Sequence, residues 1–115
     1  MFLLGDYAVG LPAALESAGL QNKFQFCSTS GTQANYQYLK NKQQACDVSY
    51  DDAGAAYMGA DMTARVLNGQ STVPDQKWRQ NVQIITPQTL FWPINQPYPG
   101  VLNYVPQWKK LWGIK

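Results

Sequence analysis

Three short polar turns hold the side chains of this chain best placed for chemistry. Gly5-Asp6 follows the apolar run Phe2-Leu3-Leu4. Ser28-Thr29-Ser30-Gly31-Thr32 follows Phe24-Gln25-Phe26-Cys27. Asp51-Asp52 follows the run from Ala45 to Tyr50. Hydroxyls and carboxylates at such turns can hold a small polar ligand by hydrogen bonds, and a carboxylate does so most strongly. The serines lack what nucleophilic catalysis requires, because the chain has no His to take the proton. The same absence removes histidine-based triads and histidine metal sites. The amides of Ser28, Thr29 and Ser30 could cradle an anion at a helix N-terminus, although most such turns only cap the helix. Asp51-Asp52 could be read as half a metal site, but adjacent residues do not face each other on a helix. Capping by Asp52 beside a solvated neighbour is the expectation there, and Asp6 is expected to cap the first helix. The reading is therefore non-catalytic, with no metal and no cofactor.

Cys27 and Cys46 are too few for a four-cysteine zinc site. They could pair in an oxidising compartment, but adjacent parallel strands rarely offer the geometry a disulfide needs, which weighs against a bridge. The net charge of +2, with Lys109-Lys110 as its one basic pair, points away from nucleic acid. No stretch approaches the roughly 20 apolar residues of a membrane span. Met1-Phe2-Leu3-Leu4 lacks the charged start and long apolar run of a signal peptide.

The elements that must position these turns come in cycles of a short apolar run, a polar turn and a helix-like segment. Such alternation implies an α/β fold with a mostly parallel sheet of three or four strands and helices on both faces. Ligands of such sheets bind at the carboxyl ends of the strands. The first helix is expected to start near Val9 or Leu11 and to end at Gly19. Phe24–Cys27 reads as a buried strand, and Ala34–Leu39 as a helix. Cys46, Val48 and Tyr50 alternate with Asp47 and Ser49, which suggests an edge strand with its polar side toward water or a partner chain. Ala55, Met58, Met62, Val66 and Leu67 trace the apolar face of a third helix closed by Gly69. Val82 to Thr86 is a further strand. Two regions result, an α/β lobe over 1–86 and a Pro- and Trp-rich extended tail over 87–115 with a short closing helix near Trp108, Leu111 and Trp112. The tail carries Leu90, Phe91, Trp92, Ile94, Tyr98, Val101, Leu102, Tyr104 and Val105 as well, and it is expected to need a second copy or another lobe to lie on.

The chain resembles the type I periplasmic sugar-binding proteins, the solute-binding components of ABC transporters. The resemblance rests on Gly5-Asp6, Gly10, Ala14-Leu15 and Ala18-Gly19-Leu20, on the turn Ser30-Gly31-Thr32, on the helix Gly59 to Gly69 ending Val66-Leu67-Asn68-Gly69, and on the return strand Val82 to Thr86. It covers roughly residues 2 to 90 and only the C-terminal portion of such a protein. It implies a partial lobe of three-layer α/β design whose missing N-terminal lobe would supply the other cleft wall. It implies ligand contacts at Gly5 or Asp6, at Ser30 and at Tyr50, a sugar or polyol as solute, a membrane permease as partner, and a periplasmic parent protein. Ser30 stands where the family usually has Asp, and Tyr50 where many members have Gln. The effector-binding half of a repressor with the same fold and a small flavodoxin-like module are the alternatives.

Overall fold

Strands adjacent in sequence are adjacent in space. The computed structural model describes residues 1–100 and 104–114. Strands β1 Phe2–Leu4, β2 Cys27–Thr29, β3 Cys46–Tyr50 and β4 Val82–Ile85 form one sheet in the order β1-β2-β3-β4. The first three run parallel, and β4 is antiparallel to β3. The helices are α1 Leu11–Ser17, α2 Gln33–Lys40, α3 Asp52–Leu67, α4 Val73–Gln76 and α5 Tyr104–Leu111. The class is thus α/β with a mostly parallel open sheet. The chain divides into two compact units. Met1–Tyr50 with Val82–Pro99 holds the sheet, α1 and α2, and Asp51–Asn81 with Gly100–Lys115 holds α3, α4 and α5.

In the sheet unit, α1 starts at Leu11, one of the two expected positions. Pro12 lies in its first turn, where a missing N–H costs nothing. Asp6 does not cap it. That residue lies in a 3-10 turn over Gly5–Ala8, and the cap is Gly10 in the left-handed conformation. Gly19, at φ +65°, follows the helix as expected. The second strand is displaced from Phe24–Cys27 to Cys27–Thr29. Its ladder needs β1 as template, and β1 pairs Phe2 with Cys27 and Leu4 with Thr29. Phe24 precedes that register and is exposed.

The alternation along β3 holds, but its sides are reversed from the expectation. β3 lies between β2 and β4, and Asp47 and Ser49 are its buried residues. On the same face, Ile85 packs with Tyr36 and Leu39 of α2 and with Trp92. Trp92 meets Tyr36 edge-on at 4.9 Å between ring centroids and Tyr98 at 5.1 Å. Tyr98 also donates its hydroxyl hydrogen to Gln83 Oε1 at 2.9 Å. The tail as far as Pro99 therefore packs within its own unit. Val101 and Leu102 of that tail lie outside the described residues.

In the helical unit, the N-cap of α3 is Asp51 rather than Asp52. Asp51 Oδ1 accepts from the Gly54 N–H at 2.9 Å, while Asp52 is the first helical residue and exposed. The inward line of α3 runs through Gly54, Met58, Asp61 and Arg65. Val66 and Leu67, expected inside, are exposed, because the helix turns Tyr57 and Asp61 toward Trp108 of α5 and Trp112 just beyond it. Gly69, at φ +64°, ends the helix as expected.

Candidate functional site

Gly5-Asp6, Ser30-Gly31-Thr32 and Asp51-Asp52 lie at the carboxyl ends of β1, β2 and β3, while Ser28 and Thr29, expected in the second turn, are residues of β2. Gly5 and Ser30 are brought together there. Gly5 is buried, and a Cβ on it would sit 2.6 Å from the Ser30 carbonyl oxygen. That close approach of two backbones requires glycine. Asp6, beside it, is exposed. Ser30 adopts φ +54°, a left-handed conformation that turns the chain sharply from β2 toward α2 and leaves the residue exposed. Tyr50 is half-buried at the end of β3, two residues beyond Val48, whose carbonyl accepts from the Ser30 N–H at 3.0 Å. The turn's amides are already engaged. The Gly31 N–H donates to Asp47 Oδ2 at 3.2 Å and the Thr32 N–H to Asn35 Oδ1 at 2.8 Å. With these donors turned inward and a carboxylate behind them, the turn is not an anion cradle.

Beneath the rim lies a polar network that the sequence reading did not anticipate. The Asp47 carboxylate is fully buried and accepts from Ser28 Oγ at 2.5 Å, Ser49 Oγ at 2.7 Å and the Gly31 N–H. Gln44 Nε2 donates to Ser28 Oγ at 2.6 Å and to the Cys46 carbonyl at 2.8 Å, and Gln44 Oε1 accepts from Asn35 at 3.3 Å. The Tyr36 hydroxyl reaches Ser49 Oγ at 3.4 Å. These contacts bind β2, β3 and the start of α2 to one carboxylate, so they fix the Ser30-Gly31 turn. The polar alternation of β3 was the available signal; Gln44 and Asn35 carry none in the sequence.

The other side of the same strands carries a disulfide, Cys27–Cys46, with Cα atoms 4.6 Å apart. The expectation against a bridge is corrected by the register. Cys27 pairs directly with Cys46, so both side chains leave one rung on one face, inside the Cα range a disulfide accepts.

Each unit holds a cavity among its described residues. One of about 600 Å³ in the sheet unit is lined by Pro12, Phe24, Gln25, Lys42, Gln44 and Pro87 among others. It lies where the chain enters β2 and β3, the end of a parallel sheet opposite to that used for ligands. The other, of about 380 Å³, lies in the helical unit between Trp78, Asn81, Gln107 and Trp108.

The helical unit also holds an ion cluster. Arg65 Nε lies 2.6 Å from Asp61 Oδ2 and 3.2 Å from Asp75 Oδ2, and Trp112 Nε1 donates to Asp61 Oδ1 at 2.8 Å. Burial acts to raise the Asp61 pKa, but the hydrogen bonds from Arg65 and Trp112 outweigh it and hold that carboxyl below its usual value. Burial, together with the neighbouring Asp61, pushes Asp75 up. The i, i+4 spacing of Asp61 and Arg65 was legible; their convergence with Asp75 and Trp112 was not. Among the described residues no group of acidic, Cys or His side chains is arranged to hold a metal, and no helix is long and apolar enough to cross a membrane.

The chain matches no family model, no curated protein and no solved structure.

Proposed function

We propose that this chain is the C-terminal portion of a non-catalytic solute-binding protein, one that captures a sugar or related polyol for import through an ABC-type permease from an oxidising compartment such as the periplasm. The observation that carries the reading is the rim. Asp6, Ser30 and Tyr50 stand at the carboxyl ends of successive strands, where α/β sheets present ligand contacts. The strand order does not reverse within this sheet, so the rim is one wall and not a crevice; a missing N-terminal lobe supplies the other. The apolar outer face around Phe2, Leu4 and Ile84 is where the third layer of the lobe belongs. The Cys27–Cys46 bridge favours an exported binding protein over the effector-binding half of a cytosolic repressor.

The test is a thermal-shift and calorimetry screen over sugars, polyols and amino acids. It uses this chain and the chain carrying the sequence encoded upstream of it. The expected result is no micromolar binding by this chain alone and saturable sugar binding by the longer one, lost in Ser30→Ala and Tyr50→Ala. Absence of sugar binding by the longer chain, or catalytic turnover that survives repurification, would overturn the reading.

A further inference from the structure

The cavity of the helical unit has the chemistry of a saccharide site, and none of the rim contacts Gly5, Asp6, Ser30 and Tyr50 lines it. Trp78 and Trp108 line it with Asn81, Gln107 and Asp51. Its volume of about 380 Å³ lies within the ~300–1,000 Å³ usual for small-molecule sites. Neither indole N–H of Trp78 or Trp108 is engaged with another group among the described residues, and the same holds for the Asn81 side-chain amide. The lining residues therefore carry aromatic surface, three donor groups unengaged among the described residues and an amide acceptor. A sugar needs that combination: its C–H face rests on an aromatic ring while its hydroxyls take donors and acceptors at the edge.

The lining groups are also held in place before any ligand arrives. Trp108 stacks on Tyr57, with centroids 6.4 Å apart, and packs against Trp112 at 5.6 Å. The backbone N–H of Trp78 donates to the Asp75 backbone carbonyl at 3.0 Å, and the Asn81 backbone carbonyl accepts from the Asp51 backbone N–H at 3.1 Å. Asp51 Oδ1 accepts from the Gly54 N–H in capping α3, so it forms a fixed polar wall. We infer that the Asp51–Asn81 and Gly100–Lys115 unit carries a binding pocket for a neutral saccharide, with Trp78 and Trp108 as aromatic walls and Asn81 as the polar contact. This site does not need a second lobe, so it stands apart from the function proposed above.

Indole N–H resonances test it directly, because Trp78, Trp92, Trp108 and Trp112 each give one and Trp92 lies in the other unit. The full chain is titrated with glucose, galactose and their disaccharides, with glycerol and phenylalanine as controls. Trp78 and Trp108 are expected to shift saturably with millimolar affinity while Trp92 stays still. Asn81→Ala and Trp78→Leu are expected to weaken binding about tenfold or more, with the Trp112 resonance, held by Asp61 within the same unit, reporting an intact fold, and Ser30→Ala to leave it unchanged. Three results would overturn the inference: no saturable shift with any sugar, an equal response to phenylalanine, or an unaltered affinity in Asn81→Ala. Sugar binding abolished by Ser30→Ala would also overturn it while supporting the rim. Should Trp78→Leu fail to fold, Asn81→Ala and the titration of the unaltered chain still decide.

Discussion

Asp47 is a buried carboxylate without a basic partner among the described residues, and its hydrogen bonds make that tolerable. It accepts from two hydroxyls and one backbone N–H, and charge-assisted bonds of this kind are the strong ones. Removing the acceptor leaves those donors facing inward. The Ser49 hydroxyl has Tyr36 as a second neighbour at 3.4 Å, whereas the Gly31 N–H has Asp47 alone. Asp47→Ala is expected to cost more than about 2 kcal/mol, since each stranded buried group costs ~1–3 kcal/mol. Asp47→Asn is expected to cost less, as it keeps one acceptor oxygen. Urea unfolding of the three proteins checks this, and an alanine variant within about 0.5 kcal/mol of the parent would show that the network is not a structural hub. Gly31 belongs to the same device. A Cβ there would meet the Asp47 carboxyl carbon at 2.7 Å, so the turn takes glycine because the carboxylate lies directly behind it.

At the scale of elements, strand β2 is held on both of its faces. Ser28 ties it to β3 through Asp47 on one side, and Cys27 ties it covalently to Cys46 on the other. A three-residue strand has little ladder of its own, so the bridge matters more than in a long one. The bonded cysteines are 19 residues apart, and breaking such a loop-closing bridge is expected to cost ~2–4 kcal/mol. The urea midpoint of Cys27→Ala/Cys46→Ala, read at Trp92, should fall accordingly, and adding reductant to the parent should reproduce the drop; a midpoint that reductant leaves unmoved would contradict it. The same strand shows what the sequence could and could not tell. The alternation of runs and turns was enough for the α/β class, for α1 starting at Val9 or Leu11, for α3 closing before Gly69 and for β4 at Val82. These are signals local to each segment. The start of β2 and the sides of β3 were not local. They depend on which residue of a neighbouring strand lies opposite, and that pairing decides that Phe24 is outside, Asp47 inside, and Cys27 across from Cys46. The turns after β1 and β3 could be placed from their strands, whereas β2 ends at Thr29 and so takes in Ser28 and Thr29, which were expected in its turn. The Asp47 network and the Trp78–Trp108 cavity could not, because they join residues that share no pattern along the chain.

At the scale of the molecule, the sheet carries an open apolar face. The register puts Phe2, Leu4, Val48, Val82 and Ile84 on the side away from Asp47, around the disulfide. Phe2 is 60% exposed and Ile84 62%. Sheets that are mostly parallel are ordinarily covered on both faces, and contiguous exposed apolar surface drives association or dye binding. The tail does not relieve this within its own unit, since Trp92 packs on the opposite side with Tyr36 and Ile85. This chain is therefore expected to bind an apolar dye in its folded state and to scatter light increasingly as its concentration rises. Ile84→Thr with Phe2→Thr should reduce both signals. Because these side chains bury little in the folded chain, stability should change only slightly, whereas Ile85→Ala at the buried Ile85 should lower it by the cost of a lost core residue, ~2–5 kcal/mol. The contrast between adjacent residues 84 and 85 is the decisive measurement. If Ile84→Thr destabilises as much as Ile85→Ala, the outer face is covered in solution and the sheet is not open.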